Sequence, residues 1–280
     1  MKVVLFCGGM GMRLRPLSPE PQSRSEVSDD LPKPMVHIGG RHPLLWLVMR
    51  YYAHFGHKEF ILCLGYKGEV IKNFFLNYNE YLSNDFVLAN GGAYLNLLRS
   101  DIQDWRITFV DTGLYSNVGQ RLKAVEPYLE GEEMFLANYS DGLSDLYLPK
   151  YIEEFTRTDK VGAFVCVKPP HTSHVVDVDA DGTVREIVHV RDAGIIMNGG
   201  YFIFRKEIFD YIHPGDELVQ EPFHRLIAQN KLFGYRYPGF WTCIDTFKEK
   251  QELDEMHSRG VTPWEVWRNS EPVPARAGEK

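Results

Sequence analysis

This chain lacks a hydrophobic run that could cross a bilayer, which takes roughly 18 residues. Its best apolar stretch, Leu44 to Met49, is six residues long. The N-terminus passes from Met1-Lys2-Val3-Val4-Leu5-Phe6 straight into Cys7-Gly8-Gly9, without the long apolar region and cleavage site of a secretory signal. Cysteine is scarce: Cys7, Cys63, Cys166 and Cys243 are scattered and form no CxxC pair. That argues against a zinc cluster or a disulfide framework and for reduced core thiols in a cytoplasmic protein. A basic surplus is missing too. Lys plus Arg number 31 and Asp plus Glu 38, a net charge of −7. Neither a general nucleic-acid partner nor an anionic membrane is expected, because both select basic surfaces.

What is present is an ordinary globular composition, 44% apolar and 25% charged over 280 residues. The length fits one large α/β domain or two smaller ones. Positive charge is unevenly spread: residues 1–50 hold seven basic and four acidic residues, a net of +3, and the other 230 carry −10. An acidic chain can thus own a small cationic site.

Short β-branched runs at Lys2 to Phe6, Phe60 to Leu64, Ile107 to Val110 and Met134 to Asn138 read as buried strands. Helical spacing separates them at Leu44 to Phe55, Val70 to Leu76 and Gln120 to Tyr128. This alternation predicts βαβ units and a mostly parallel sheet. Beyond residue 160 the texture changes. Strand candidates crowd together at Val161 to Val167, Val175 to Val178, Val184 to Val188 and Gly200 to Phe204, with a hairpin signal at Asp181-Gly182. Helices are expected at Lys206 to Ile212, Glu221 to Asn230 and Phe247 to Ser258. Nothing resembles a linker. The expectation is one α/β domain over 1–268, with a nucleotide-binding half over 1–145 and an acceptor-binding half over 146–268. Residues 269–280 read as a flexible tail.

Four segments point to chemistry. Gly8-Gly9-Met10-Gly11-Met12-Arg13 follows the first strand, where glycines admit a close phosphate and Arg13 could hold its oxygens. The spacing is neither G-x-G-x-x-G nor a Walker A loop, and a tight βα turn explains it equally. Pro32-Lys33-Pro34 stiffens the chain around one lysine, which reads as a phosphate ligand or an exposed turn residue. Asp141 follows a strand at the sheet's carboxyl edge, where open α/β sheets bind ligands and Mg²⁺ takes one or two carboxylates. A simple Asx-turn would serve as well. Asp245 ends another apolar stretch and could belong to a helix N-cap.

Their order, with Gly65-Tyr66-Lys67-Gly68, Val110-Asp111-Thr112-Gly113, Arg121-Leu122-Lys123, Ser140-Asp141-Gly142, Asn198-Gly199-Gly200 and Gly239-Phe240-Trp241, resembles the sugar-1-phosphate nucleotidyltransferase family. The likeness runs from Lys2 to about Trp267 and is greatest to its glucose-1-phosphate cytidylyltransferase branch. It implies a Rossmann-like three-layer αβα fold, with a mostly parallel mixed central sheet and a small appended β region. It also implies a Mg²⁺-dependent reaction of a nucleoside triphosphate with a sugar 1-phosphate, releasing pyrophosphate, in a protein that self-associates as a homo-oligomer. Carried over, Leu5, Cys7, Gly8, Gly9, Met10, Gly11 and Met12 would surround the nucleotide, with Thr112, Arg121 and Ser140 beside it. Arg13, Lys33 and Asp141 would be catalytic, and Asp141 and Asp245 would ligate the metal. Asp141, Arg191, Asn198, Gly199 and Trp241 would meet the acceptor. The G-L-A-Q-A signature of thymidylyltransferases is absent, which favours CTP.

Two departures stand out. The family's Glu-Lys-Pro lysine falls near Val190, where the chain reads Val188-His189-Val190-Arg191-Asp192, and Arg191 could supply the charge. His171-Thr172-Ser173-His174 replaces a glycine and arginine pattern. Both point away from glucose 1-phosphate as the acceptor and leave a related sugar phosphate or phosphorylated polyol. The missing lysine also motivates an alternative, a nucleotide- or sugar-nucleotide-binding protein that has lost turnover. The loop from Ser18 to Asp30 reads as a disordered insertion or a lid.

Overall fold

The computed structural model describes residues 1–9, 31–40, 42–170 and 173–268. The loop over Ser18–Asp30 and the tail over 269–280 lie outside them. The chain opens with β1 (Val3–Phe6), an entirely buried apolar strand. A 3₁₀ turn at Lys33–Met35 leads through β2 (His37–Ile38) and β3 (His42–Pro43) into α1 (Leu44–His54). Next come β4 (Glu59–Leu64), α2 (Gly68–Leu76), α3 (Glu80–Ser83) and an exposed hairpin of β5 (Phe86–Ala89) and β6 (Tyr94–Leu97). Then follow β7 (Arg106–Asp111), α4 (Val118–Ala124) and β8 (Met134–Asn138). The remainder is β9 (Gly142–Ser144), α5 (Leu148–Thr156), β10 (Gly162–Val167), a hairpin of β11 (His174–Val178) and β12 (Val184–His189), β13 (Met197–Asn198) and β14 (Phe202–Arg205). It closes with α6 (Glu221–Ala228), β15 (Leu232–Arg236), β16 (Trp241–Cys243) and α7 (Phe247–Ser258).

Among the described residues eight strands form one sheet, with β7, β4, β1 and β8 side by side and parallel. β14 runs antiparallel to β8 and to β10, and β15 joins the far side of β10 in parallel. The sheet is therefore mixed but mostly parallel. β1 shows why it must be covered on both sides. Val3 and Leu5 face a core with α1, while Val4 and Phe6 face a second core with Leu122 of α4 and Phe223 and Leu226 of α6. Alternating side chains that are all apolar require a helix layer on each face. The result is the Rossmann-like three-layer αβα fold, with the small antiparallel pairs β11·β12 and β9·β16 appended to it.

Where sequence and structure differ, local chemistry explains it. The helix expected over Gln120 to Tyr128 stops at Ala124 and resumes as a 3₁₀ turn, Glu126–Leu129. Pro127 cannot donate its backbone hydrogen bond to a continuing helix. The segment expected as a helix after β14 is likewise a 3₁₀ run, Lys206–Tyr211. The Asp181-Gly182 turn does close a hairpin, with Gly182 at φ +89°.

Candidate active site at the carboxyl edge of the sheet

The carboxyl ends of β1, β4, β7 and β8 meet at one rim. Backbone bonds lace it together: Cys7 N–H donates to Cys63 O at 3.0 Å, Tyr66 N–H to Gly8 O at 3.1 Å and Thr112 N–H to Leu64 O at 3.0 Å. Beyond β8, Ser140 sits at φ +64°, a left-handed conformation unusual for a residue with a Cβ. Two bonds hold it there. Its N–H donates to Asn138 Oδ1 at 3.0 Å and its Oγ to Phe6 O at 2.8 Å. Strain retained at a rim is stored where a side chain must be aimed, and the next residue is Asp141.

Asp141 is aimed at a residue from far away in the chain. Gly142 on β9 pairs with Cys243 on β16, and Ile244 N–H donates to Asp141 O at 3.1 Å. This pairing sets Asp141 beside Asp245. Asp245 is not the helix cap: Thr246 is, forming a capping box with Glu249 at the start of α7. The Glu249 carboxylate also accepts from Asp245 N–H at 2.7 Å, which fixes the backbone and leaves the Asp245 carboxylate to face Lys33.

Lys33 arrives on its proline-flanked turn, with Pro34 and Met35 buried beneath it. Its Nζ donates to Asp141 Oδ2 at 2.7 Å and to Asp245 Oδ1 at 2.6 Å. The lysine side chain is 13% exposed, and the two carboxylates are 27% and 24% exposed. Burial works to discharge Lys33, but the two carboxylates overcome it and hold its pKa above the ordinary value. Burial likewise lifts the Asp141 carboxyl, against the pull of Lys33. One ammonium thus balances two acids, an arrangement open to a further cation.

The donor set fits a hard ion. Two carboxylates converge, and the nearest sulfur, Cys243 Sγ at 4.0 Å from Asp245 Oδ2, has its pKa pushed up to about 12 by burial and by Asp141. Sulfur is a soft donor and the two carboxylates are hard ones, so the carboxylates are what suits a hard ion. Among the described residues no group of three or more His, Cys, Asp or Glu converges as an all-protein cage. Mg²⁺ needs none, since it keeps waters and takes substrate phosphates alongside one or two carboxylates. Asp141 and Asp245 are the residues that would hold it.

The other expected residues divide. Leu5 is a buried core residue of β1, and the Cys7 thiol is buried and has its pKa pushed up to about 12, so it is inert. Gly8 lies at the rim and Gly9 is exposed beyond it. Met10, Gly11, Met12 and Arg13 lie outside the described residues. Thr112 and Arg121 turn inward: Thr112 Oγ1 donates to Leu64 O at 2.7 Å, and the Arg121 guanidinium bonds Thr112, Leu64 and Gly8. Asn198 and Gly199 flank Trp241, whose Nε1 donates to Gly199 O at 2.8 Å. Asn198 Oδ1 accepts from Gly200 N–H at 2.9 Å, and its Nδ2 donates to Tyr139 Oη at 3.4 Å. Arg191 is exposed at the turn after β12, its N–H donating to His189 Nδ1 at 3.2 Å. His171 and Thr172 lie outside the described residues.

Sequence reasoning missed Tyr139 and Tyr201. The Tyr201 hydroxyl donates to Gly142 O at 3.1 Å from a backbone at φ +51°, and so braces the loop carrying Asp141. The signal was the Asn198-Gly199-Gly200-Tyr201 string, in which the glycines drew attention away from the tyrosine.

The chain is 36% identical over 270 residues to the glucose-1-phosphate cytidylyltransferase of Salmonella typhi, covering 95% of this chain and 100% of that relative. The same enzyme of Salmonella typhimurium matches equally, at 36% over 270 residues with the same coverage. Among solved structures, the UTP-bound UGPase of Acinetobacter baumannii superposes with a TM-score of 0.63 at 17% identity, over 95% of this chain and 96% of that one, a likeness of fold. No protein-family model matches.

Proposed function

The chain belongs to the sugar-1-phosphate nucleotidyltransferase family, on its glucose-1-phosphate cytidylyltransferase branch, and on that premise we propose how its residues act. The chain condenses a nucleoside triphosphate, CTP by preference, with a sugar 1-phosphate or related phosphorylated polyol. The observation that carries this reading is Lys33 held between Asp141 and Asp245.

An acceptor phosphate oxygen attacks the α-phosphorus in line. The new O–P bond forms as the bond to the β-phosphate oxygen breaks, and the electron pair leaves with pyrophosphate. The attacking oxygen is already an anion, so no protein base is needed, and the protein's share is positioning and charge. Lys33 turns its ammonium from the carboxylates to the reacting phosphates. Asp141 and Asp245 are the residues that would hold Mg²⁺, and the ion would offset the charge of the triphosphate. Gly8 and Gly9 leave the rim open to the nucleotide, and Arg13 takes the triphosphate tail. Asn198, Gly199, Trp241 and Arg191 form the acceptor side, dividing the chain into a nucleotide-binding half over 1–145 and an acceptor-binding half over 146–268.

No helix among the described residues is long and apolar enough to cross a membrane. Four free cysteines fit a reducing compartment, the cytoplasm. Exposed Phe86, Val87, Leu88, Tyr94 and Leu95 on the β5·β6 hairpin support self-association as a homo-oligomer. The test of the function is a pyrophosphate-release matrix of four nucleoside triphosphates against a panel of sugar 1-phosphates and phosphorylated polyols, with and without Mg²⁺. Release from one pair, with Mg²⁺ only, is the expected result. Nucleotide binding with no release from any pair would leave a binding protein instead.

A further inference from the structure

Asp145 stands at the far end of the short ribbon that carries the two candidate metal acids. β9 and β16 pair over three residues each, Gly142 with Cys243, Leu143 with Thr242 and Ser144 with Trp241. Asp141 and Asp245 adjoin one end of that pairing, where Ile244 N–H donates to Asp141 O at 3.1 Å. A third carboxylate closes the other end. Asp145 Oδ1 accepts from Phe240 N–H at 2.8 Å and from the Tyr237 hydroxyl. Asp145 N–H donates to Phe240 O at 3.3 Å, and Ser144 Oγ donates to the same oxygen at 2.8 Å.

The segment between β15 and β16 is shaped to reach this carboxylate. Burial, then the Asp145 carboxylate, push the Tyr237 pKa up, so its hydroxyl keeps the hydrogen that it donates. A Cβ on Gly239 would lie 2.3 Å from Tyr237 Oη and 2.4 Å from Tyr237 Cζ. Gly239 has no positive φ, so its missing side chain serves the tyrosine and not the backbone. The ribbon has little else to fix its register. Two-stranded pairs are marginal in water. A slip by one residue would carry Asp245 about 3.3 Å along the strand and turn each β16 side chain to the other face. The contacts of Lys33 with Asp141 at 2.7 Å and Asp245 at 2.6 Å could not both survive that shift. Two further ties hold β16, but neither reaches β9: the Thr246 capping box leads to α7, and Trp241 Nε1 leads to Gly199 O.

We propose that Asp145 is a positioning residue for the metal-binding pair: by clamping Tyr237 and Phe240 it sets the register of β16 on β9, and with it the place of Asp245 beside Asp141. This rests on the function proposed above and deepens it. A carboxylate suits the task, because hydrogen bonds to a charged acceptor are roughly twice as strong as those to a neutral one. The strand β9, Gly142–Ser144, separates it from Asp141, so it acts through the backbone and not as a ligand.

The experiment compares Asp145→Ala, Asp145→Asn, Tyr237→Phe and Gly239→Ala with the wild type. Three quantities are read: the Mn²⁺ affinity of the nucleotide-free protein by calorimetry, the KM of each substrate at saturating Mg²⁺, and the melting temperature. Mn²⁺ stands in for Mg²⁺, since oxygen ligands suit both. Asp145→Ala should weaken Mn²⁺ binding by about tenfold, the lower end of what partners behind metal ligands contribute. Asp145→Asn keeps an oxygen for Phe240 N–H and should recover most of that loss. Gly239→Ala should weaken Mn²⁺ binding as Tyr237→Phe does, because the new methyl displaces the hydroxyl. Substrate KM values should stay near those of the wild type. Wild-type Mn²⁺ affinity in Asp145→Ala, with only the melting temperature lowered, would make the clamp a plain structural tie and overturn the proposal. A raised acceptor KM with wild-type Mn²⁺ affinity would also overturn it, by setting the loop against the acceptor. Should Asp145→Ala fail to fold, Tyr237→Phe and Gly239→Ala give the same readouts with part of the clamp in place. A wild type that binds no Mn²⁺ would sink the proposal outright. One that binds Mn²⁺ but turns over no pair would sink the proposed function alone, and the metal affinities would still decide the role of Asp145.

Discussion

Lys33 Nζ lies 2.7 Å from Asp141 Oδ2, joining a proline-flanked turn near the start of the chain to the residue that follows the left-handed Ser140, 108 positions later. The same ammonium reaches Asp245 at 2.6 Å. Three charges that the sequence scatters over 212 positions become one cluster. Its net charge is negative until a second cation arrives.

Removing the lysine should expose that imbalance. Lys33→Met leaves two partly buried acids facing one another. Loss of one partner from a fully buried pair costs about 3–5 kcal/mol, and the partial exposure of this cluster brings the expected loss to about 1–3 kcal/mol. Mg²⁺ without nucleotide should raise the melting temperature of Lys33→Met more than that of the wild type, because the ammonium no longer competes for the carboxylates. Equal shifts in both proteins would contradict the cluster's role.

Removing either acid should spare the fold and stop the chemistry. Asp141→Asn and Asp245→Asn keep side-chain volume, and the capping box of Thr246 and Glu249 does not use the Asp245 side chain. We expect pyrophosphate release to fall at least about 10²–10³-fold in each, with melting temperatures near that of the wild type. Full turnover in Asp141→Asn would remove it from the reaction.

Gly119 offers a prediction of sign. Inside a helix Ala is favoured over Gly by about 1 kcal/mol, and for Gly119, the second residue of α4, that gain is at most this large. A Cβ on Gly119, however, would lie 2.3 Å from Asp216 O, a backbone atom that has no rotamer by which to escape. Packing should win, and Gly119→Ala should lower the urea midpoint. A raised midpoint would show that the 216–218 segment moves freely.

The acid limb of stability should depend on His57. Burial, then the positive N-terminus of Met1, lower its pKa from 6.5 to about 4. Between those values the unfolded chain binds a proton that the folded chain does not, so stability rises with pH across this window and is lost as pH falls through it. Above pH 6.5 both states are neutral and the penalty vanishes. Urea midpoints measured from pH 4 to 7.5 should therefore climb less steeply in His57→Asn than in the wild type.

The parallel strands β1, β4, β7 and β8 were legible because each holds a short, continuous apolar run, whereas β15, also parallel, was not read as a strand. α5 was missed because Pro149 and Lys150 interrupt its apolar face at the start, although proline is welcome in a first turn. The β9·β16 pairing had no local signal: two three-residue strands about a hundred positions apart find each other only in the folded chain. That pairing is what brings Asp141 and Asp245 together. Each acid alone was open to a bland explanation as a turn or cap residue. Arg121 was expected beside the nucleotide from the resemblance, while the inward turn of its guanidinium depends on acceptors drawn from separate segments.

The most direct test of the account is a single stoichiometric measurement. The wild-type chain is incubated with CTP, Mg²⁺ and the sugar phosphate panel, and products are followed by mass spectrometry and a pyrophosphate assay. One acceptor should yield a cytidine diphosphate sugar or polyol and pyrophosphate in equal amounts, with neither product from Asp245→Asn. CTP left intact with every acceptor, or products formed equally by Asp245→Asn, would contradict it.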